Sequence, residues 1–186
     1  GGFYGGNLKP EESIESVMKS STASFGITAL NELQVLYNGK SIVEDGQFAL
    51  DVLTYINKKT TEFKYEDNIL YAIYGTPAES LCGLQIKQFR KKYGIIEGVS
   101  SREYVSNSFH CGVWEDINGI TKQDLEERFW ELCKGGRIQY VRYNLSYNTE
   151  AMITYIERAM DKGFYEGVNL SLAYCNHCGH EELDMN

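Results

Sequence analysis

Apolar positions recur at helical spacing in three places along the chain. Thr121 and Asp124 stand at capping-box separation, Leu125, Phe129, Leu132 and Cys133 then fall on one stripe, and Gly135 and Gly136 mark its end. A second stripe, Met152, Ile153, Ile156, Ala159 and Met160, follows Thr149 as a candidate cap and closes at Gly163, where a left-handed residue is wanted. A third opens at Asp45 and turns Phe48, Val52, Tyr55 and Ile56 inward. Between these helices lie short runs rich in β-branched and aromatic residues: ILYAIY (69–74), YVSNSFHCGV (104–113), RIQYVRY (137–143) and GVNLSLAY (167–174). Each predicts a strand. The order RIQYVRY, Thr149 helix, GVNLSLAY predicts a β-α-β unit, and hence parallel pairing in an α/β sheet or barrel.

Composition keeps this picture within ordinary globular proteins: 42% of the 186 residues are hydrophobic and 24% are charged. A net charge of -8 argues against broad binding to a nucleic-acid backbone. The basic run KQFRKK (87–92) reads as a solvated helix face. No stretch has the apolar length of a membrane span, and GGFYGGN at the start lacks the features of a signal peptide, so a cytoplasmic protein is expected. Five cysteines without a regular framework agree with reduced thiols.

Chemistry concentrates in a few stretches. ILYAIY runs into YGTPAES, a strand, a tight turn and a helix start. Such a junction presents unpaired N–H groups at the positive end of a helix dipole and suits phosphate. Gly75 would allow close approach, Thr76 could cap or donate a hydroxyl, and Pro77 fits the first helical position, though Thr-Pro is also an ordinary helix start. Glu79 suits the dipole but would repel a phosphate if it pointed the same way, and could face a sugar instead. Ser20–Ser24 read as hydroxyls before a helix starting near Phe25 or Gly26, either caps or a wall of the same pocket. His110 and Cys82 read first as buried structural residues.

Near the carboxyl end, Cys175 and Cys178 in AYCNHCGH have the C-x-x-C spacing that lets two thiolates meet one zinc ion. Four ligands are needed, and packing His177 and His180 into the same turn would strain it, so this is half a site; free thiols or a redox pair are the alternatives.

Taken together, SSTASFGITALNEL, YGTPAESLCG, QFRKKYGI, NSFH, GGRIQYVRY and GFYEGVNLSLAYCNHCG resemble the carboxyl-terminal part of the catalytic subunit of class III, anaerobic ribonucleoside-triphosphate reductases, over essentially the whole chain. The resemblance implies part of a ten-stranded α/β barrel of the glycyl radical enzyme type over residues 1–172, followed by the first half of a zinc ribbon over 173–186. It implies removal of the ribose 2'-hydroxyl of ribonucleoside triphosphates by glycyl and thiyl radical chemistry, for deoxyribonucleotide synthesis and DNA replication. Formate as reductant, a radical-SAM activase partner, effector nucleotides and a homodimeric complete enzyme come with it. Gly75, Thr76, Pro77, Ala78, Glu79 and Ser80 resemble the segment that holds substrate phosphates, and Cys175 and Cys178 the first pair of a four-cysteine zinc site.

The family's thiyl cysteine, effector region and radical glycine have no match here, so Cys82, Cys111 and Gly179 are not assigned those roles, and no turnover is expected of this chain alone. Asn144 stands where the family typically has proline. The alternative is a non-catalytic nucleotide-binding or interaction module, such as half of a split enzyme. Another glycyl radical enzyme, such as an acyl lyase, has no evident use for the Thr-Pro loop.

Overall fold

The computed structural model describes residues 8–142, 148–169, 172–174, 177–178 and 181–183. Its elements run α1 (Glu15–Lys19), β1 (Thr22–Gly26), α2 (Leu30–Asn38), α3 (Gln47–Asp67), β2 (Leu70–Tyr74), α4 (Glu79–Tyr93), α5 (Gly119–Trp130), β3 (Gln139–Arg142), α6 (Thr149–Asp161), β4 (Glu166–Asn169), β5 (Leu172–Tyr174) and β6 (Glu181–Leu183).

Two parallel pairs organise the molecule. β1 pairs with β2 in the register Thr22 to Leu70 through Gly26 to Tyr74, and β3 pairs with β4 from Gln139 and Glu166 to Arg142 and Asn169. The predicted β-α-β unit is therefore present. A parallel bridge from Tyr74 to Gly136 ties the pairs together, helped by hydrogen bonds of 2.8 Å from Gly75 N to Gly136 O and from Gly135 N to Ile73 O. Gly136 sits at φ 142, and a Cβ there would stand 2.6 Å from the Tyr74 ring, so the junction requires glycine.

The serine tract differs from expectation. Thr22–Gly26 is a strand, and the helix begins only at Leu30, after Ala29 turns left-handed at φ 60. Parallel pairing with β2 draws this hydroxyl-rich segment into a sheet that local propensity alone does not favour.

The core joins both units. Leu30, Ile42, Ala49, Leu53, Ile73, Phe109, Phe129, Trp130 and Cys133 form one buried cluster, with Ile56 and Phe164 packed against it. On α3 the buried face is Ala49, Leu53 and Thr60; Tyr55, expected inward, is exposed, and Phe48 stacks on Tyr37 at 3.8 Å. The helix starts from Gly46, not Asp45, whose carboxylate instead accepts from Gln47 N at 3.2 Å. Asparagine also displaces threonine as the cap of two helices. Asn118 Oδ1 accepts from Thr121 N at 2.9 Å and Asn148 Oδ1 from Ala151 N at 3.0 Å, in keeping with the stronger capping preference of asparagine. α5 ends at Trp130, so Leu132 and Cys133 lie beyond the helix, although Cys133 remains in the core.

α6 ends as its sequence predicts. Gly163 lies at φ 67, its N–H donates to Met160 O and that of Phe164 to Ala159 O, both at 2.9 Å, which is a Schellman motif. The side-chain stripe differs: Ala159 is buried, but Ile153, Ile156 and Met160 remain 49%, 39% and 71% exposed.

Residues 104–113, expected as a strand, form a connection buried between its exposed ends Tyr104 and Val113, with one antiparallel bridge, Thr28 to Asn107, and a turn closed by His110 N donating to Asn107 O at 2.9 Å. Ser108 within that turn is left-handed at φ 45, which a strand does not accommodate. Buried carboxylates take over part of what a neighbouring strand would supply. Glu32 accepts from Ser106 N at 3.0 Å, and Glu126 accepts from Cys111 N at 2.9 Å.

Candidate phosphate loop

β2 delivers the chain to the loop. Gly75 is buried, and a Cβ on it would stand 2.5 Å from Phe109 Cε1 and 3.1 Å from Ser108 Oγ, so only bare backbone fits beneath that ring. Thr76 lies against β1, with its Cγ2 at 3.2 Å from where a Gly26 Cβ would be. Thr76, Pro77 and Ala78 are half-buried and Ser80 is exposed.

Helix α4 begins at Glu79, and Ala78, left-handed at φ 44, is its cap residue without a side-chain hydrogen bond. Thr76 therefore does not cap the helix, and Pro77 does not occupy its first position. The left-handed turn at Ala78 postpones the helix by two positions, at a conformational cost of about 1–2 kcal/mol. The N–H groups of Leu81 and Cys82 both donate to Ala78 O at 3.0 Å. By helix geometry the Glu79 and Ser80 N–H groups point out of the helix end, and the cap residue Ala78 has no polar side chain to take them. This arrangement can receive an anion.

The loop is clamped from the far side by the 104–113 connection. Asn107 Nδ2 donates to Pro77 O, and Ala29 N donates to Ser106 O at 2.9 Å. The Glu32 carboxylate holds Ser106 through both its N–H and its hydroxyl, the latter at 2.7 Å. Burial raises the pKa of Glu32 above the usual carboxylate range, against the pull of the Ser106 hydrogen bond. Thr28 and α4 are linked by Gln85 Nε2 donating to Thr28 Oγ1 at 2.8 Å. Asn107 and Glu32 were not singled out by sequence. Their signal was faint: a glutamate in the buried turn of an amphipathic helix, and an asparagine inside a run that reads as a strand.

Beyond Asn107 opens a cleft of about 750 Å³ between α4, the 103–117 connection and β3, with His110, Trp114, Lys122 and Tyr140 among its walls. Residues 75–80 do not line it. Arg90, expected in a solvated basic face, instead donates to the carbonyls of Ser100 and Arg102, while the Arg102 guanidinium lies 4.0 Å over Trp114. His110 is 6% exposed and placed between two carbonyls, Nδ1 at 3.0 Å from Asn107 O and Nε2 at 2.7 Å from Ile138 O. A neutral ring donates to one of them at a time. It is a packed wall residue, as the sequence suggested. Burial pushes the thiols of Cys111 and Cys133 up to about 12, so neither is poised as a thiolate. Cys82 is buried, its sulfur 3.9 Å from Ser106 O.

Of the proposed metal ligands, Cys178 is an exposed free thiol and Cys175 lies outside the described residues, as do Asn144, Gly179 and His180. The two strands that flank this turn, β5 and β6, pair antiparallel from Leu172 with Leu183 to Tyr174 with Glu181. By donor chemistry alone, two thiolates at C-x-x-C spacing are what half of a tetrahedral zinc site takes. Among the described residues no three His, Cys, Asp or Glu side chains converge, and no helix is long and apolar enough to cross a membrane.

Comparison with known proteins places this geometry in a family context. The profile of anaerobic ribonucleoside-triphosphate reductase matches residues 2–185. The anaerobic ribonucleoside-triphosphate reductase of Haemophilus influenzae is 30% identical over an alignment of 185 positions that covers 96% of this chain and 26% of that protein. The corresponding protein of enterobacteria phage T4 is 31% identical over 96% of this chain and 29% of its own length. The crystal structure of the Thermotoga maritima anaerobic ribonucleotide reductase with MES in the active site gives a TM-score of 0.70 at 19% identity, over 88% of this chain and 28% of that one. The same enzyme in complex with dATP and CTP gives 0.67 at 15% identity, over 92% and 34%. The chain thus spans about a quarter to a third of these relatives.

Proposed function

Because the chain belongs to the anaerobic ribonucleoside-triphosphate reductase family, we propose that it is a segment of such an enzyme and contributes the loop that holds the substrate triphosphate. The complete enzyme would convert ribonucleoside triphosphates to deoxyribonucleoside triphosphates, using a glycyl radical that lies outside this chain. The observation that carries the reading is the β2–α4 junction. A glycine pinned under Phe109 leads into a helix end without a side-chain cap, where the Glu79 and Ser80 N–H groups and the Thr76 hydroxyl would bind and orient phosphate oxygens. Gly75, Pro77 and Ala78 shape that turn.

In this reading residues 1–172 form part of the ten-stranded barrel and 173–186 the first half of a zinc ribbon, in which Cys175 and Cys178 would supply two thiolate ligands. Zinc there would fix the hairpin and take no part in turnover. The radical-SAM activase, the effector nucleotides, a second copy of the complete enzyme and a cytoplasmic location belong to the same reading.

Exposed apolar faces support a segment over a free-standing binding module. On α2, Leu30, Asn31, Glu32 and Gln34 are buried while Leu33 and Leu36 are exposed, and the α6 stripe is open as well. Such faces call for further protein to cover them. Sedimentation of the purified chain should reveal self-association, and a clean, cooperatively folding monomer would favour the module instead.

The loop itself is tested by Thr76→Val in the complete enzyme, which keeps the methyl packing on β1 and removes the hydroxyl. Loss of a hydrogen bond to a charged phosphate should weaken triphosphate binding about tenfold or more, with the melting temperature unchanged. Unchanged binding would remove the assignment.

A further inference from the structure

The loop lies against a second segment, residues 104–113, which reaches it through one side-chain hydrogen bond. Asn107 donates from Nδ2 to the Pro77 carbonyl, in the turn just before α4. Its backbone is bridged to Thr28, and its carbonyl accepts the His110 N–H at 2.9 Å, so the backbone that carries the amide is fixed from both sides. Ser106, the preceding residue, is anchored by the Glu32 carboxylate.

Strain gathers around this one hydrogen bond. Ala78, which follows the acceptor, lies at φ 44, and Ser108, which follows the donor, at φ 45; both are left-handed residues with side chains. The Ser108 hydroxyl is fully buried against Gly75 and, among the described residues, has no hydrogen-bond partner. Two strained loops with an unsatisfied hydroxyl between them would relax unless something fixed their separation. Beside the Phe109 ring, which packs on Gly75, the Asn107 amide makes the hydrogen bond that joins them.

We propose that Asn107 is a positioning residue: through Pro77 it sets where the Thr76 hydroxyl and the first-turn N–H groups of α4 stand, and so determines how tightly the triphosphate is held. This rests on the phosphate-loop reading above. Asn107 touches the loop and not the reacting atoms, so its removal should act on binding and leave the chemical step alone. A residue serving stability only would lower the melting temperature and the amount of active enzyme, without raising KM.

The test is steady-state kinetics and nucleotide binding in the activated full-length reductase with three substitutions. Asn107→Asp keeps the shape but places an acceptor against an acceptor, Asn107→Ala removes the contact, and Asn107→Gln retains an amide donor. KM for the triphosphate should rise about tenfold in the Asp and Ala variants with kcat within about twofold, the pattern of lost uniform binding. The Gln variant should recover part of the loss. KM unchanged in the Asp variant, or kcat and melting temperature falling at constant KM, would overturn the proposal; if the Ala variant fails to fold, the Asp and Gln pair decides. Thr76→Val separates the two levels. If it too leaves triphosphate affinity unchanged, the phosphate-loop reading fails; if it weakens affinity while Asn107→Asp does not, only the positioning role fails.

Discussion

Between β1 and β2, helix α3 buries Ala49, Leu53 and Thr60 in the main core, whereas α6, between β3 and β4, buries Ala159 and leaves Ile153, Ile156 and Met160 open. Both crossovers carry an apolar stripe at helical spacing, and they have different support. α3 is held along its length by packing. α6 is held by the Asn148 cap, the Gly163 motif, Tyr155 lying against Gly119 of α5, and ion pairs from Arg158 and Lys162 to Asp124 on α5. Periodicity reports that a face is built for burial, but not whether its cover lies within the same stretch of chain.

Leu53→Ala should sharpen the contrast most, lowering stability by about 2–5 kcal/mol in denaturant titration because the cavity forms in a closed core. Glu32→Ala comes next, at about 1–3 kcal/mol, since it leaves the Ser106 N–H and hydroxyl buried without their acceptor. Asn148→Ala should cost about 1 kcal/mol by uncapping α6. Ile156→Ala removes comparable apolar bulk to Leu53→Ala yet should change stability by no more than about 0.5 kcal/mol, as at ordinary surface positions. Equal losses at Leu53 and Ile156 would break the comparison.

The second unit also carries the subtler pH effect. Burial pushes Glu166 on β4 from 4.5 up to about 7, offset in part by the Gln123 amide and Lys122 and reinforced by Glu126 nearby. The folded state therefore holds this proton more tightly than the unfolded chain. Its contribution is fully present below the unfolded value of 4.5 and is lost as pH rises through about 7. Glu166→Gln should flatten the stability profile across that window, and an unchanged slope would assign it elsewhere.

The sequence made the second β-α-β unit, its helix, the β2 strand and the 75–80 turn legible, because strand runs, glycines and helix ends are local signals. Three features were hidden for a physical reason. Thr22–Gly26 is a strand because β2 lies beside it, and 104–113 is not one because Glu32 and Glu126 satisfy backbone donors there; both depend on residues distant in sequence. The start of α4 depends on a left-handed alanine, which no propensity would place. At the candidate site the loop residues were readable, but Asn107 acquires meaning only when Pro77 is folded against it.

The central claim is that residues 75–80 hold phosphate. The most direct measurement is the affinity of the complete enzyme and its Thr76→Val variant for a ribonucleoside triphosphate and for the matching nucleoside, side by side. The account predicts that the substitution weakens triphosphate binding about tenfold and leaves nucleoside binding unchanged. Equal effects on both ligands, or none on the triphosphate, would contradict it.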